Sequence, residues 1–325
     1  MYESITKKLF SVQTVAVFMH INPDGDCVGS SLALYHYLTS LGKDVYVFCE
    51  NKSDIRENLN ILPGLEVINS KELKRYDLGI AVDCGSASRM GKNSSKIFFG
   101  RCDDHACFDH HETGEAFVED LIYENVAATA QILYKFFKEN DANYIDDKVA
   151  LCLYLGIVTD TGGFTFNNTT SETLKIASEL LKYGVDGHKV VYKTIKERTP
   201  QAFALRARTL NNAQFLLDGR VGIITFLKDD YIQTGTTSRD TEGIINDVID
   251  VDGVKLAISV AEMEDLPAFK VGIRSKDGVD AGKYAALFGG GGHHNASGCR
   301  IYANLSETMD RLIRAAKQIL DGEDA

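Results

Sequence analysis

No window of the 325-residue chain approaches the ~20 consecutive apolar residues that a membrane-crossing helix needs. The N-terminal stretch MYESITKKLFSVQTV is too polar for the apolar segment of a secretory signal, so the expected location is the cytosol. Cysteine is sparse and odd in number, seven in all, with no paired C-x-x-C spacing. That pattern fits reduced thiols rather than a disulfide framework. The segment Cys102-Asp-Asp-His105-Ala-Cys107 lacks a second Cys/His pair and reads as a loop and strand start rather than a zinc site. Basic excess is also missing. A formal net charge of -11 excludes long-range attraction to duplex nucleic acid or an anionic membrane, because such binding needs a basic surface that displaces counterions. There is no internal repeat and no low-complexity tract. With only 4 prolines beside 28 glycines, 44% hydrophobic and 25% charged residues, the chain has the balance of a soluble globular protein, and its length predicts two domains.

What is present is an alternation of short apolar runs and helical stripes. Val15 to Met19, Asp44 to Cys49, Leu78 to Val82 and Ala106 to Phe108 read as strands. Leu34, Leu38 and Leu41, then Ile132, Leu133, Phe136 and Phe137, then Leu174, Ala177, Leu180 and Leu181 mark helix faces, the last ending near Tyr183-Gly184. Alternation of this kind predicts an α/β fold with a parallel sheet covered by helices. The texture changes past residue 190, where KTIKERTPQAFALRARTL is basic and carries one proline. The expected division is a first domain over 1–190, a second over 205–325 and a linker over about 191–204. The second domain has strand patterns at Arg220 to Leu227, Val254 to Val260 and Phe269 to Ile273, and a terminal helix with Leu312, Ile313, Ala316, Ile319 and Leu320 on one face. It is expected to be a smaller α/β unit with a mixed sheet.

Polar chemistry gathers where the apolar runs of the first domain stop. The first ends in His20-Ile-Asn-Pro-Asp24-Gly-Asp26, the third in Asp83, the next in Asp109-His110-His111, and LCLYLGIV runs into Thr159-Asp160. The carboxyl ends of parallel strands lie along one sheet edge, where such folds bind ligands. Each motif alone has an ordinary reading as a turn or cap. Together they bring carboxylates and imidazoles to one pocket. Asp24 and Asp26, separated by one glycine, would repel unless a cation sat between them. Carboxylates with a minority of imidazoles suit Mn²⁺ or Mg²⁺ better than structural Zn²⁺. Cys27 and Cys84 adjoin the motifs and are read as packing groups.

These motifs resemble those of the DHH phosphoesterases, named for the triplet that stands here as Asp109-His110-His111. The segments around His20 to Asp26, Val82-Asp83, the triplet and Gly156 to Phe164 look like the family's four N-terminal motifs in order, and GGGGHHNASG from Gly289 looks like the signature of its associated C-terminal domain. The resemblance implies a catalytic site in the cleft between the two domains and a dinuclear centre of two Mn²⁺ ions, with Mg²⁺ as the substitute. One ion would take His20, Asp24 and Asp83; the other would take Asp26, Asp83, His110 and Asp160, with Asp83 bridging. Asp109 would orient a ligand imidazole and His111 would face the substrate phosphate.

In the second domain, the two-residue period of Phe269 to Ile273 puts Lys270, Gly272 and Arg274 on the face opposite the apolar one. The resemblance raises Arg274 to a substrate-binding candidate. Gly289, Gly290, Gly291 and Gly292 would let backbone N–H groups approach an anion closely, and His293 could donate to a phosphate or base. Chain length and domain content point to the branch that cleaves short oligoribonucleotides and dephosphorylates 3′-phosphoadenosine 5′-phosphate, pAp. The implied partners are short RNA oligonucleotides and nucleotide bisphosphates, with a homodimer left open. The alternatives are a stand-alone phosphodiesterase for cyclic di-AMP or pApA and a nucleotide-binding sensor without turnover.

Overall fold

The computed structural model describes residues 2–112, 116–263, 266–276 and 278–322, and the backbone alone of His293. The chain divides into two compact units, Met1–Glu197 and Arg198–Ala325.

The first unit runs α1 (Glu3–Ser11), β1 (Thr14–Phe18), α2 (Gly25–Ser40), β2 (Asp44–Phe48), β3 (Tyr76–Val82), α3 (Lys92–Arg101), β4 (Cys102–Asp109), β5 (Asp120–Tyr123), α4 (Thr129–Asp141), α5 (Asp147–Asp160), α6 (Ser171–Leu181) and α7 (Gly187–Val191). Its five strands are all parallel in the order β2-β1-β3-β4-β5. Alternation along β1 explains the layers. Val15 and Val17 enter the core shared with α2, α4 and α5, while Ala16 and Phe18 enter the core on the other face, with Phe98 of α3.

LCLYLGIV is not a strand. It lies inside α5, whose start is set by Asp146, which accepts a hydrogen bond from the Val149 N–H at 2.8 Å. An apolar run this long, buried almost all round against α2 and α4, has no helical periodicity to display, so its pattern imitates a buried strand. Asp160 therefore arrives from the last turn of a helix. On α6 the buried face is Thr173, Ile176, Ala177 and Leu180, and the expected stripe members Leu174 and Leu181 are exposed. The stretch expected to join the domains is helical: a π-helical turn covers Tyr192–Lys196, and α8 begins at Pro200 under a Thr199 hydroxyl cap.

The second unit runs α8 (Pro200–Asn211), β6 (Gln214–Leu216), β7 (Val221–Phe226), α9 (Lys228–Thr234), α10 (Ile244–Ile249), β8 (Leu256–Glu262), β9 (Phe269–Ser275), α11 (Ala281–Ala286), β10 (Gly291–His293), β11 (Ala296–Ile301) and α12 (Leu305–Asp321). The sheet is mixed, ordered β10-β11-β9-β8-β7-β6, with β7 and β8 parallel and the other pairs antiparallel. Tyr284 of α11 and Leu312 of α12 cover the face of Ile258, Val271 and Ile273. On the other face, Leu205 of α8 and Val248 of α10 pack over Ile224 and Ala257. Among the described residues no helix is long and apolar enough to cross a membrane.

Candidate metal centre and substrate-binding strand

Strand ends, helix starts and one helix end deliver the polar groups of the first unit. His20 lies just past β1 and is buried. Asp24 is the N-cap of α2, accepting from the Cys27 N–H at 3.1 Å, and Asp26 sits in that helix's first turn. Gly25 is not a flexible spacer. It is helical, and a Cβ there would lie 2.4 Å from Thr159, so glycine permits α2 to approach α5 beside the site. Asp83 follows β3 with φ 58°, a left-handed conformation that costs a non-glycine residue on the order of 1 kcal/mol and that the Asp83 N–H bond to Phe108 O, 2.8 Å, helps to hold.

The groups converge. His20 Nε2 lies 3.5 Å from Asp83 Oδ2 and 3.9 Å from Asp24 Oδ2. His110 Nε2 lies 3.4 Å from the other Asp83 oxygen, Oδ1, and 3.3 Å from Asp160 Oδ2. Asp83 thus turns one oxygen toward each imidazole. Donor atoms of Asp26, His110 and Asp160 all lie within 4.8 Å of one another.

The tautomers expose the conflict. His20 Nδ1 meets the Ile21 carbonyl at 2.8 Å and His110 Nδ1 meets the Val126 carbonyl at 3.1 Å. A carbonyl only accepts, so each Nδ1 carries the proton and a neutral ring presents its Nε2 lone pair to carboxylate oxygens. Lone pairs facing lone pairs repel unless a proton or a metal cation lies between them. Asp24, Asp83 and Asp160 lie against the imidazoles of His20, His110 and His111, and the Asp24 charge also acts on the half-buried Arg56 guanidinium. Burial pushes the Asp26 carboxyl up to about 7, reinforced by the Asp83 charge. Asp160 is raised well above the usual carboxylate range by burial and by Asp26, Asp24 and Asp83. Burial would raise Asp83 too; were the His20 and His110 rings protonated, they and His111 would hold it low instead. This donor set fits divalent cations: two Nε2 lone pairs and several carboxylates, one of them facing both rings.

Two features differ from the expected assignments. Asp109 touches His111 Nδ1 at 2.7 Å, whereas the backbone carbonyls orient His20 and His110. Asp26 is already engaged: Oδ2 accepts from the Thr129 N–H at 2.6 Å, and Oδ1 from the Ala130 N–H and the Ser30 hydroxyl at 3.1 and 2.9 Å. Of its four lone-pair positions, one is left for a cation. Thr129 is the residue that sequence reasoning missed. Its N–H opens α4 onto Asp26 while its hydroxyl donates to Asp83 Oδ1 at 2.9 Å, tying two of the carboxylates to one helix start. No local pattern around Ala127-Ala128-Thr129 distinguishes it from an ordinary helix start. The Cys27 thiol is buried, takes the His20 N–H at 3.4 Å and lies 3.6 Å from Val82 O, joining the chain at His20 to the chain before Asp83.

In the second unit, burial alternates along β9 as the two-residue period requires, with Phe269, Val271 and Ile273 buried. Arg274 is half-buried, its Nη1 donates to Ile273 O at 3.0 Å, and burial lowers the affinity of the guanidinium for its proton. The four glycines are not equivalent. Gly289 has φ 69°, a Cβ on Gly290 would meet Gly298 O at 2.3 Å, and one on Gly292, with φ 146°, would meet Ala296 O at 2.6 Å. The fold itself thus demands three of them. Gly291 faces open space at an ordinary φ. The His293 side chain lies outside the described residues.

The likenesses to known proteins run the length of the chain. Residues 14–157 match the DHH family, N-terminal domain, and residues 222–322 match the DHHA1 domain. A Thermus thermophilus protein named bifunctional oligoribonuclease and PAP phosphatase NrnA is 30% identical over 311 residues, covering 94% of this chain and 90% of the relative. A Bacillus subtilis protein of the same name is 25% identical over 295 residues, covering 89% and 90%. A solved structure from Bacteroides fragilis, described as an exopolyphosphatase-related protein, superposes with a TM-score of 0.89 at 27% identity, covering 98% of this chain and 95% of that one. With the ordered motifs, the parallel and mixed sheets and relatives matched over nearly their whole length, the chain belongs to the DHH family of phosphoesterases and carries a C-terminal DHHA1 domain.

Proposed function

We propose that this chain hydrolyses short oligoribonucleotides to mononucleotides and converts pAp to AMP at a dinuclear centre, with Mn²⁺ as the preferred ion and Mg²⁺ as its substitute. The observation that carries the metal reading is Asp83, one oxygen of which faces the Nε2 of His20 and the other that of His110. His20, Asp24 and Asp83 would hold one ion, and Asp26, Asp83, His110 and Asp160 the other. A divalent pair bound there would acidify a water and stabilise charge on the phosphoryl oxygens. The relatives named for both oligoribonuclease and pAp phosphatase activity support the substrate class and give no support to cyclic di-AMP or pApA as the main substrate.

The chain's own residues account for the remaining steps. Hydrolysis forms a bond from water oxygen to phosphorus and breaks the ester bond, and the departing oxygen takes up a proton. His111 is placed to supply it. Burial would lower the proton affinity of this imidazole, but the Asp109 bond and the Asp83 charge dominate and raise it to about 9, so that at neutral pH the ring carries a donor proton. Asp109 keeps that ring in place. Arg274, half-buried beside the bare backbone of Gly272, offers a guanidinium to a second phosphate of the substrate.

The test is a panel with Mn²⁺: pAp, a pentaribonucleotide, an RNA of about twenty nucleotides, cyclic di-AMP and pyrophosphate. The reading predicts turnover of the first two above the rest and none after chelation. Activity confined to cyclic di-AMP, or activity that survives metal stripping, contradicts it.

A further inference from the structure

Threonines on the helices of this chain turn their hydroxyls back onto the preceding turn: Thr159 onto Leu155 O, Thr209 onto Leu205 O and Thr234 onto Asp230 O, each four residues earlier. Thr129 does not. It is the first residue of α4, where no earlier turn exists to receive it, and its hydroxyl crosses 46 residues of sequence to donate to Asp83 Oδ1 at 2.9 Å. Nor does it cap its own helix. The N-cap Ala128 makes no side-chain cap, and the Asp26 carboxylate instead takes the first N–H groups of α4, those of Thr129 and Ala130, at 2.6 and 3.1 Å. The helix therefore makes no use of this hydroxyl. Thr129 and Asp83 are both buried, so neither finds a substitute partner in solvent.

The Asp83 backbone is set, at φ 58° with its N–H on Phe108 O. What stays free is the turn of the carboxylate about its Cβ–Cγ bond, a broad, roughly two-fold torsion. The two oxygens have different neighbours. Oδ2 faces His20 Nε2 at 3.5 Å, while Oδ1 faces His110 Nε2 at 3.4 Å and is the oxygen that Thr129 reaches. A donor on Oδ1 pins the carboxylate with one oxygen toward each imidazole. Released from it, the group can turn both oxygens to a single cation, since carboxylates hold divalent ions in one-oxygen and two-oxygen modes alike. Asp26 differs, because it accepts three hydrogen bonds, of which Thr129 supplies the one from its backbone N–H. Loss of the Thr129 hydroxyl leaves all three in place.

We infer that Thr129 is a positioning residue whose hydroxyl holds the Asp83 carboxylate so that its two oxygens serve two cations instead of closing on one. The inference rests on the dinuclear centre proposed above and deepens it, by naming the group that decides whether the chain takes up two ions or one. The ion at stake is the one on the His110 side, because both donors of Thr129 go to Asp26 and to the Asp83 oxygen that faces His110. The ion held with His20 and Asp24 does not depend on it.

The test titrates chelator-stripped protein with Mn²⁺ by calorimetry. Thr129→Val keeps the branched shape and the backbone N–H and removes the hydroxyl alone, while Thr129→Ser keeps the hydroxyl. Wild-type protein should take up about two ions per chain. In Thr129→Val the affinity for one of them should fall about 10- to 100-fold, the usual loss when the partner of a metal ligand is removed, with the other unchanged. Thr129→Ser should restore it. At two equivalents of Mn²⁺, electron paramagnetic resonance should show a spin-coupled pair in wild type and Thr129→Ser, and the resolved hyperfine pattern of isolated ions in Thr129→Val. Should Thr129→Val fail to fold, Thr129→Ala carries the same comparison. Two ions held by the variant as tightly as by wild type, or both weakened alike, overturn the inference and leave the centre standing. Uptake of one ion by wild type overturns the centre and the inference with it.

Discussion

The two units carry opposite unfinished charge. In the first, Asp24, Asp26, Asp83 and Asp160 crowd together, and burial with their mutual repulsion raises Asp26 and Asp160. In the second, Arg274 is half-buried, pairs with no carboxylate among the described residues, and has its charge disfavoured by burial. Elsewhere the same protein pairs its charges routinely. Lys135 lies 2.7 Å from Glu124, and Glu50 caps α3 through the Asn93 and Ser94 N–H groups. Unpaired buried charge is costly, so where it persists it marks a place completed by something that binds. On the reading proposed above, the sign says what: a cation in the first unit, an anion in the second.

The comparison breaks most visibly at Asp83. Replacing Asp83→Asn removes the charge that both imidazoles face, and kcat/KM should fall by at least about a thousandfold, the several kcal/mol that metal-assisted catalysis supplies, while circular dichroism stays native. Retained activity would separate the carboxylate cluster from the chemistry. Arg274→Ala tests the other sign. Truncating a charged contact to a phosphate costs about 2–5 kcal/mol of binding, so KM for pAp should rise by about 1.5 to 3.5 orders of magnitude with metal content unchanged. Loss of metal in that variant would contradict the division of labour.

A smaller effect distinguishes packing from ligand approach among the glycines. Gly290→Ala forces a Cβ against Gly298 O and should destabilise by about 1–3 kcal/mol, read as a lower urea midpoint. Gly291→Ala meets open space and should leave the midpoint within about 0.5 kcal/mol, so any rise in its KM reports ligand approach at that residue.

The smallest expected effect is on stability against pH. In the metal-free protein the Asp26 carboxyl is raised to about 7, above its unfolded value of about 3.9. A raised folded value means the folded state holds the proton more tightly. The contribution of this group is therefore full below about pH 4 and is lost as pH rises through 7. The gap in Tm between Mn²⁺-loaded and metal-free protein should widen from pH 5 to pH 8. A gap that stays constant would mean that the carboxylates are not in electrostatic conflict.

Much of this was legible because the motifs combine unusual residue types at strand ends. His20, Asp83, His110 and the strands before them could be placed from apolar runs followed by polar clusters, and the alternation along Phe269 to Ile273 placed Arg274 on its face. Other features depend on tertiary packing. Gly25 looks like a turn residue until Thr159 of α5 is found against it, and α5 looks like a strand because it is buried almost all round. Thr129 acquires its role only when α4 docks its first turn on Asp26, across 103 residues of sequence. Asp109 and His111 are two residues apart at a strand end, yet which imidazole Asp109 would orient depended on where the Val126 carbonyl lay. The glycine run read as one ligand-binding feature, and the backbone of β11 accounts for Gly290 and Gly292 through close packing.

The central claim is that the carboxylates and imidazoles of the first unit form one site for two cations joined through Asp83. Calorimetric titration of chelator-stripped protein with Mn²⁺, beside the Asp83→Asn variant, tests it most directly. The account predicts about two ions per wild-type chain, the number a two-metal phosphoryl site requires, and weak or no binding in the variant. A single ion per wild-type chain, or two ions bound undiminished by Asp83→Asn, would contradict it.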